Sequence, residues 1–180
     1  MGESTIEELC QRLYGKHQRA LELLFEYRPD RQSEIRNILE RVISEDPDFE
    51  LGGCSKVYIH FTPLSWTSPQ LRHSGSGSTR ILAFMCENRP DSLRLYLEIQ
   101  PGDPAVRSRI HEVARDGSIF SASPKLSTQY SRIFRKDFLR PKDYEQHDIE
   151  WIEQRINQRF AAFKSSDFPQ IDEVIRGISF

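Results

Sequence analysis

Asp91 and Glu98 come closest, among the residues of this 180-residue chain, to a catalytic arrangement. Two carboxylates and a nearby lysine can hold Mg²⁺ and activate water for phosphodiester cleavage. The residue that follows Glu98 by two positions, where such a lysine would be needed, is Gln100. An extended strand between the two carboxylates separates them by about 23 Å, whereas one Mg²⁺ needs both oxygens at about 2.1 Å. We therefore predict no catalytic residue, no metal and no cofactor, with Asp91 capping a turn and Glu98 facing solvent or pairing with an arginine.

A small polar array is the candidate for ligand binding. Tyr58 and His60 alternate with apolar residues, so both lie on one face of a predicted strand. Tyr96 lies on the polar face of another predicted strand, and the three side chains could line a small-molecule pocket on the sheet. None of the histidines has a zinc-binding spacing, and no glycine-rich phosphate loop or nucleophile elbow is present.

The charge distribution suggests a second kind of surface. Residues 104–142 contain nine Lys or Arg and three acids, a net charge of +6, while the rest of the chain carries −8. We predict that five of these basic residues contact phosphate and that an aromatic residue stacks on a base, which gives the candidate set Arg107, Arg109, Tyr130, Arg132, Arg135 and Lys136. Strand alternation would split Arg132 and Arg135 between faces. The alternative is a solvated face that pairs with the flanking acidic helices.

Hydrophobic periodicity indicates the elements that must position these residues. Apolar residues at three- and four-residue spacing predict two helices that form a hairpin over residues 1–46, the first opened by Ser4 and ending near Tyr27. Residues 55–136 are expected to hold the sheet and a crossover helix capped by Asp103. Alternation predicts strands at 57–61 and 93–99, and a continuous apolar run predicts a central strand at 80–87. Residues 126–136 fit a fourth strand, although a helix is possible.

The C-terminal residues 143–180 are predicted to form two helices, the longer one starting at Asp143 and the shorter one at Asp167. The predicted fold is therefore α+β, with a small antiparallel sheet of three to four strands and the order ααβββαβαα. The serine- and glycine-rich segment 68–79 is expected to be a mobile loop. The expected core residues are Leu9, Leu13, Leu21, Ile38, Ile59, Ile81, Met85, Leu95, Leu97, Ile110, Ile152 and Ile156.

Composition points to one soluble domain over residues 1–180, because the charged fraction of 29% and the aromatic fraction of 11% are ordinary. The net charge of −2 gives the whole chain no bulk attraction for nucleic acid or anionic lipid. Three scattered cysteines indicate reduced thiols in a cytoplasm. No apolar run reaches ~18 residues, so no membrane span is expected, and the acidic N-terminus lacks the pattern of a signal peptide.

Three segments carry a resemblance to a known family: LYGKHQRALELLFEYRPD from Leu13, KVYIHFTPLSW from Lys56, and LRLYLEIQPGD from Leu93, followed by Arg107. Over residues 9–140 the chain resembles the C-terminal, non-catalytic region of bacterial proteins of the PD-(D/E)XK nuclease-like family. In that family the catalytic carboxylates and lysine lie upstream of this region. The resemblance implies a bacterial accessory domain without catalytic residues, from a defence system or a mobile element.

Three functional hypotheses follow. The leading one is a non-catalytic module that binds a nucleic-acid backbone, or a partner protein, through the basic segment. The second is a protein-interaction or oligomerisation domain, which could form a homodimer, with contacts around Trp151 and Phe160. The third is a small-molecule binder that uses Tyr58, His60 and Tyr96. Steep weakening of binding by salt would distinguish the first hypothesis from the others.

Overall fold

The computed structural model describes residues 3–26, 30–72 and 80–180. The chain divides into two compact units, Met1–Asp30 and Arg31–Phe180. Most of the segment expected to be a mobile loop, residues 73–79, lies outside the described residues. Its first part is ordered, because Pro69–Leu71 forms a 3₁₀ turn and Leu71 is buried. Within the described ranges, no helix is both long and apolar enough to cross a membrane.

The first unit consists of helix α1, Glu3–Glu26, close to the predicted bounds. His17 interrupts the helical geometry with φ −128° and ψ 24°. Leu9 is 53% exposed and Leu13 is 49% exposed, and Leu21 is only partly buried. The prediction that these three leucines belong to the core is therefore wrong, because an amphipathic pattern establishes an apolar face and not what covers it.

The second unit contains a five-stranded antiparallel sheet, so the α+β class is confirmed and the count of three to four strands is wrong. The strands follow one another in sequence order across the sheet: β1 Phe49–Cys54, β2 Tyr58–Pro63, β3 Leu82–Arg89, β4 Ser92–Ile99 and β5 Ser131–Leu139. Of the ambiguous segment 126–136, residues 131–136 belong to a strand, β5, and residues 126–130 precede it. Strand β1 was not predicted, because Gly52 and Gly53 weaken its strand pattern. A Cβ at Gly52 would lie 3.2 Å from the carbonyl oxygen of His60, which explains the glycine.

The described part of the second unit also contains five α-helices: α2 Arg31–Ser44, α3 Pro104–Asp116, α4 Pro141–Gln146, α5 Ile149–Ala162 and α6 Phe168–Arg176. Asp103 caps α3 as predicted, since its side chain accepts hydrogen bonds from the amides of Ala105 and Val106. The long helix predicted from Asp143 is instead two helices, and Asp148 caps the longer one, α5. A π-helical turn, Phe163–Asp167, joins α5 to α6.

The core lies between one face of the sheet and the helices α2 and α5. Aromatic rings fill it, with centroids 5.1 Å apart for Phe84 and Phe163 and 5.3 Å apart for Phe61 and Phe84. Nine of the twelve predicted core residues are buried, all of them in this second unit. Phe160 is also buried, at 4% exposure, so it cannot form the protein-contact surface that was predicted around it. Cys10, Cys54 and Cys86 are all free thiols.

Candidate ligand-binding cleft

The sheet face opposite the helical core carries the polar side chains. Tyr58 pairs with Glu87 and His60 pairs with Met85 across β2 and β3, and Met85 in turn pairs with Tyr96 on β4. Directly opposed residues of antiparallel strands project to the same face. The period of two along each strand therefore brings these side chains together, as the alternation predicted for Tyr58, His60 and Tyr96.

A β-bulge in β5 places two arginines on this same face. Arg135 pairs with Tyr96 and Arg132 pairs with Glu98, and the register shifts by one residue between these pairs. Because Tyr96 and Glu98 are two residues apart, they share a face, and so must their partners. The prediction that alternation separates Arg132 from Arg135 is therefore wrong, since the extra residue in the bulge reverses the alternation.

Arg132 is held by two carboxylates and one ring. Its Nη2 donates to Glu87 Oε1 at 3.1 Å, and its Nε lies 3.6 Å from Glu98 Oε1. The centre of its guanidinium lies 4.0 Å from the centroid of the Tyr96 ring. Arg89 also bonds Glu87, at 3.0 Å. The positive charge of Arg132 is therefore compensated within the protein, which reduces its attraction for an external phosphate.

The two carboxyl groups beside Arg132 have opposite pKa shifts. Burial raises the pKa of Glu98 above its ordinary value, and the nearby Arg132 offsets this only in part. Burial also opposes ionisation of Glu87, but the hydrogen bond from Arg89 and the charge and hydrogen bond of Arg132 outweigh it and lower its pKa. Glu87 is thus held in its ionised form as the counter-ion of the arginines, whereas burial shifts Glu98 towards its protonated form.

The segment 117–130, between α3 and β5, stands beside this face and is tied down by α3. Arg107 is 6% exposed, and its guanidinium donates to the carbonyl oxygens of Ser127, Thr128 and Gln129 at 2.8, 3.0 and 2.7 Å. His111 is also buried, and its Nε2 donates to the Ser123 carbonyl oxygen at 2.8 Å. Arg107 therefore anchors a loop, and its burial prevents the phosphate contact predicted for it.

Between this segment and the sheet lies a cleft of about 670 Å³. Such a volume is within the range of ~300–1,000 Å³ that is usual for small-molecule sites. The sheet contributes its floor and the segment 117–130 contributes a wall, so the lining is Tyr58, His60, Met85, Glu98, Ser123, Lys125, Ser127, Tyr130, Ser131 and Arg132. Tyr58 and His60, two of the three residues predicted to line a pocket on the sheet, lie in this lining. Tyr96 is not among them, because it is 5% exposed and covered by Arg132.

His60 presents a hydrogen-bond acceptor to the cleft. Its Nδ1 lies 3.3 Å from the carbonyl oxygen of Gly53, an acceptor that requires the proton on Nδ1. Burial lowers the pKa of His60 despite that hydrogen bond, so the ring is neutral at pH 7. The neutral ring with its proton on Nδ1 has an unprotonated Nε2.

Three lining residues have no partner within the part of the chain that the structure describes. Among the described residues, the Lys125 ammonium forms no ion pair, the Tyr130 ring stacks on no other ring or cation and its hydroxyl makes no hydrogen bond, and the Ser123 hydroxyl makes no hydrogen bond. Tyr130 is 52% exposed. Nothing in the sequence pattern of residues 117–130 distinguished Ser123 or Lys125, since a loop without periodicity does not indicate which of its side chains face a cavity.

The remaining members of the predicted phosphate-binding set are dispersed. Arg109 lies on α3 and is 3.8 Å from Glu112, and Arg135 bonds Asp137 at 3.0 Å. Lys136 pairs with Leu95 across the strands, which places it on the core face of the sheet, where it forms an ion pair with Asp167. These side chains do not form one basic patch with Arg132.

The two carboxylates of the acidic pair lie apart, one at a turn and one on the sheet face. Asp91 lies at the turn between β3 and β4, where its Oδ1 accepts a hydrogen bond from the Ser92 hydroxyl at 3.3 Å. Glu98 pairs with Arg132 but is buried rather than solvent-facing. The described residues include no group of three or more His, Cys, Asp or Glu side chains that could hold a metal ion.

Comparison with protein-family models, with curated proteins and with solved structures finds no match to this chain. The resemblance to the PD-(D/E)XK nuclease-like family therefore stays a prediction from the sequence, and the geometry of the cleft is the basis on which function can be proposed.

Proposed function

We propose that the second unit is a non-catalytic binding module and that the cleft on its sheet takes a small organic molecule. The observation that carries this proposal is the cleft itself, about 670 Å³ between the sheet and the anchored segment 117–130. It combines an apolar surface, Met85 and the tyrosine rings, with a few polar groups that converge from different elements, which is the usual composition of small-molecule sites.

The pairing of the basic residues makes a nucleic-acid surface the weaker proposal. Binding to a phosphate backbone needs cations whose charge is available to replace released counterions. Arg132, Arg135 and Lys136 are each paired with a carboxylate, and Arg107 is bonded to three carbonyl oxygens. A phosphate that bound one of these side chains would break its internal bond and leave the carboxylate or carbonyl partner without a donor.

A ligand screen against a variant with a filled cleft tests the proposal. Ser123→Trp puts a large side chain at the cleft wall without removing a side-chain hydrogen bond, since only the Ser123 carbonyl is bonded. Ser165→Trp is the control at an exposed site outside the cleft, and it removes only the local hydrogen bond of 3.3 Å from the Ser165 hydroxyl to the Ala162 carbonyl oxygen. Small molecules that raise the melting temperature of the wild type and of Ser165→Trp, but not of Ser123→Trp, would support the proposal. Hits that bind all three proteins equally would contradict it.

A second function, association through α1, is favoured by one observation. Four large apolar side chains of this helix are about half exposed or more: Ile6, Leu9, Leu13 and Leu24. Exposed apolar stripes of this kind commonly bind another protein. Sedimentation of the wild type and of Leu13→Glu tests this function, which predicts a concentration-dependent assembly that the charge abolishes. A wild type that stays monomeric and binds no partner protein would argue against it.

A further inference from the structure

Resting on the proposed binding function, we infer that the ligand of the cleft is a planar aromatic molecule that carries one acidic group. Nucleoside monophosphates and aromatic carboxylates share this chemistry. The groups in the cleft that lack a partner within the protein indicate the chemistry of the ligand, because a ligand that covers them removes them from water and has to supply replacement partners.

The acidic group is inferred from Lys125, which is exposed to solvent at the cleft. This ammonium lines the cleft and has no carboxylate within salt-bridge distance among the described residues, unlike Arg132 beside it. Hydroxyl donors accompany it on the same segment. The Ser127 hydroxyl oxygen accepts from the Gln129 amide and the Ser131 hydroxyl oxygen accepts from the Ser127 amide, which leaves both O–H groups free to donate. One ammonium and three serine hydroxyls, counting Ser123, suit a carboxylate or phosphate.

The aromatic ring is inferred from Tyr130, the second lining residue of that segment without a partner among the described residues. Its ring is 52% exposed at the cleft and stacks on no other described side chain. Tyr58, on the far side of the cleft, is already engaged, because its hydroxyl accepts from Arg89 Nη2 at 2.8 Å. A flat ring seated against Tyr130 gains stacking, which is favourable for most aromatic rings irrespective of their substituents.

The floor of the cleft suits a polar ring edge. The unprotonated Nε2 of His60 accepts a hydrogen bond, so it favours an amino, imino or hydroxyl donor on the ring. Glu98 offers a second site that donates when protonated and accepts when ionised. The three sheet spacings from β2 to β5 amount to about 14 Å, which is room for a ring and an acidic substituent in one molecule.

Calorimetric titration with two acidic probes and their neutral counterparts tests the inference. The probes are adenosine 5′-monophosphate against adenosine, and 4-aminobenzoate against 4-aminobenzamide. We expect the acid of at least one pair to bind about tenfold more tightly than its neutral counterpart, and Lys125→Gln to remove that advantage. Lys142→Gln is the matched control, because Lys142 is exposed on α4 and does not line the cleft. Whichever acid binds identifies the source of the shared chemistry.

Other outcomes overturn specific parts of the inference. Equal affinity for acid and neutral probes, unchanged by Lys125→Gln, would refute the acidic group. Inorganic phosphate or acetate binding as tightly as the acidic probes would refute the ring. If none of the probes binds while other molecules bind in a manner that Ser123→Trp blocks, the ligand class is wrong and the proposed function stands. If nothing binds in that manner, the proposed function fails as well. A single-stranded oligonucleotide that binds far more tightly than the mononucleotide would replace the free ligand by a nucleic-acid strand.

Discussion

Replacement of Arg107 by methionine is expected to release the wall of the cleft. The guanidinium is buried and donates three hydrogen bonds to consecutive carbonyl oxygens at 2.7–3.0 Å. Methionine keeps most of the apolar stem and removes the donors. Ser127, Thr128 and Gln129 are exposed, so water can replace part of what their carbonyls lose. With about 1 kcal/mol net for each bond, the cost in free energy of unfolding is about 3 kcal/mol.

Urea denaturation measures this cost, and hydrogen exchange locates it. The amide of Ser121 donates to the Ile133 carbonyl at 2.8 Å and the amide of Ser127 donates to the Ser131 hydroxyl at 2.8 Å. Both should exchange faster in Arg107→Met, because the segment can open without the sheet. Ligand binding in the cleft should weaken in parallel.

Arg109→Met is the matched control, on the same helix. Its side chain is about half exposed, with only Glu112 at 3.8 Å as a partner, so the change should cost less than about 0.5 kcal/mol. If Arg107→Met also costs less than about 1 kcal/mol and leaves both amides protected, Arg107 does not anchor the segment.

Three further changes are predictable from the same face and core. Burial raises the pKa of Glu98, so the contribution of Glu98 to stability is greatest below its unfolded pKa of about 4.3 and declines as pH rises through its folded pKa. Glu98→Gln should therefore be more stable than wild type at pH 8 and lose that advantage in acid. A difference in urea midpoint that does not change with pH would contradict this. Leu95→Ala should cost roughly 2–5 kcal/mol in urea denaturation, whereas Leu13→Ala, at an exposed site, should cost under about 1 kcal/mol; equal costs would refute the burial difference. Arg132→Glu sets a third carboxylate beside Glu87 and Glu98 and should cost roughly 3 kcal/mol, and a variant as stable as wild type would show that this pairing contributes nothing.

The local elements of the sheet were predictable because burial imposes a period on the sequence. The strands β2, β3 and β4 lie where alternation or a continuous apolar run predicted them, and Asp103 caps α3 as its position before Pro104 indicated. Strand β1 escaped prediction for the opposite reason. Gly52 leaves room for the backbone of β2, which lies close to it, but glycine has low strand propensity and therefore does not indicate a strand in the sequence.

The basic residues do not form the single patch that was predicted, because the number of charges in a segment does not specify their partners. Lys136 points to the core face and meets Asp167, which is 31 residues away. Arg132 meets Glu87, which is 45 residues away. Such long-range pairs depend on strand register, and the register of β5 includes a bulge that alternation alone could not predict.

The cleft follows from two features that act together, and neither is visible in a periodic pattern. The bulge turns Arg132 onto the sheet face that carries His60 and Glu98, where it covers Tyr96 and closes the floor. Arg107 is buried on α3 and donates hydrogen bonds to carbonyl oxygens of the segment 117–130, which forms the wall of the cleft. Both arginines are bonded to acceptors within the protein, whereas Lys125 is the cation of the cleft without a partner among the described residues. The same basic segment thus supplies the framework of the site and, among the described residues, the cation of the cleft that is available to a ligand.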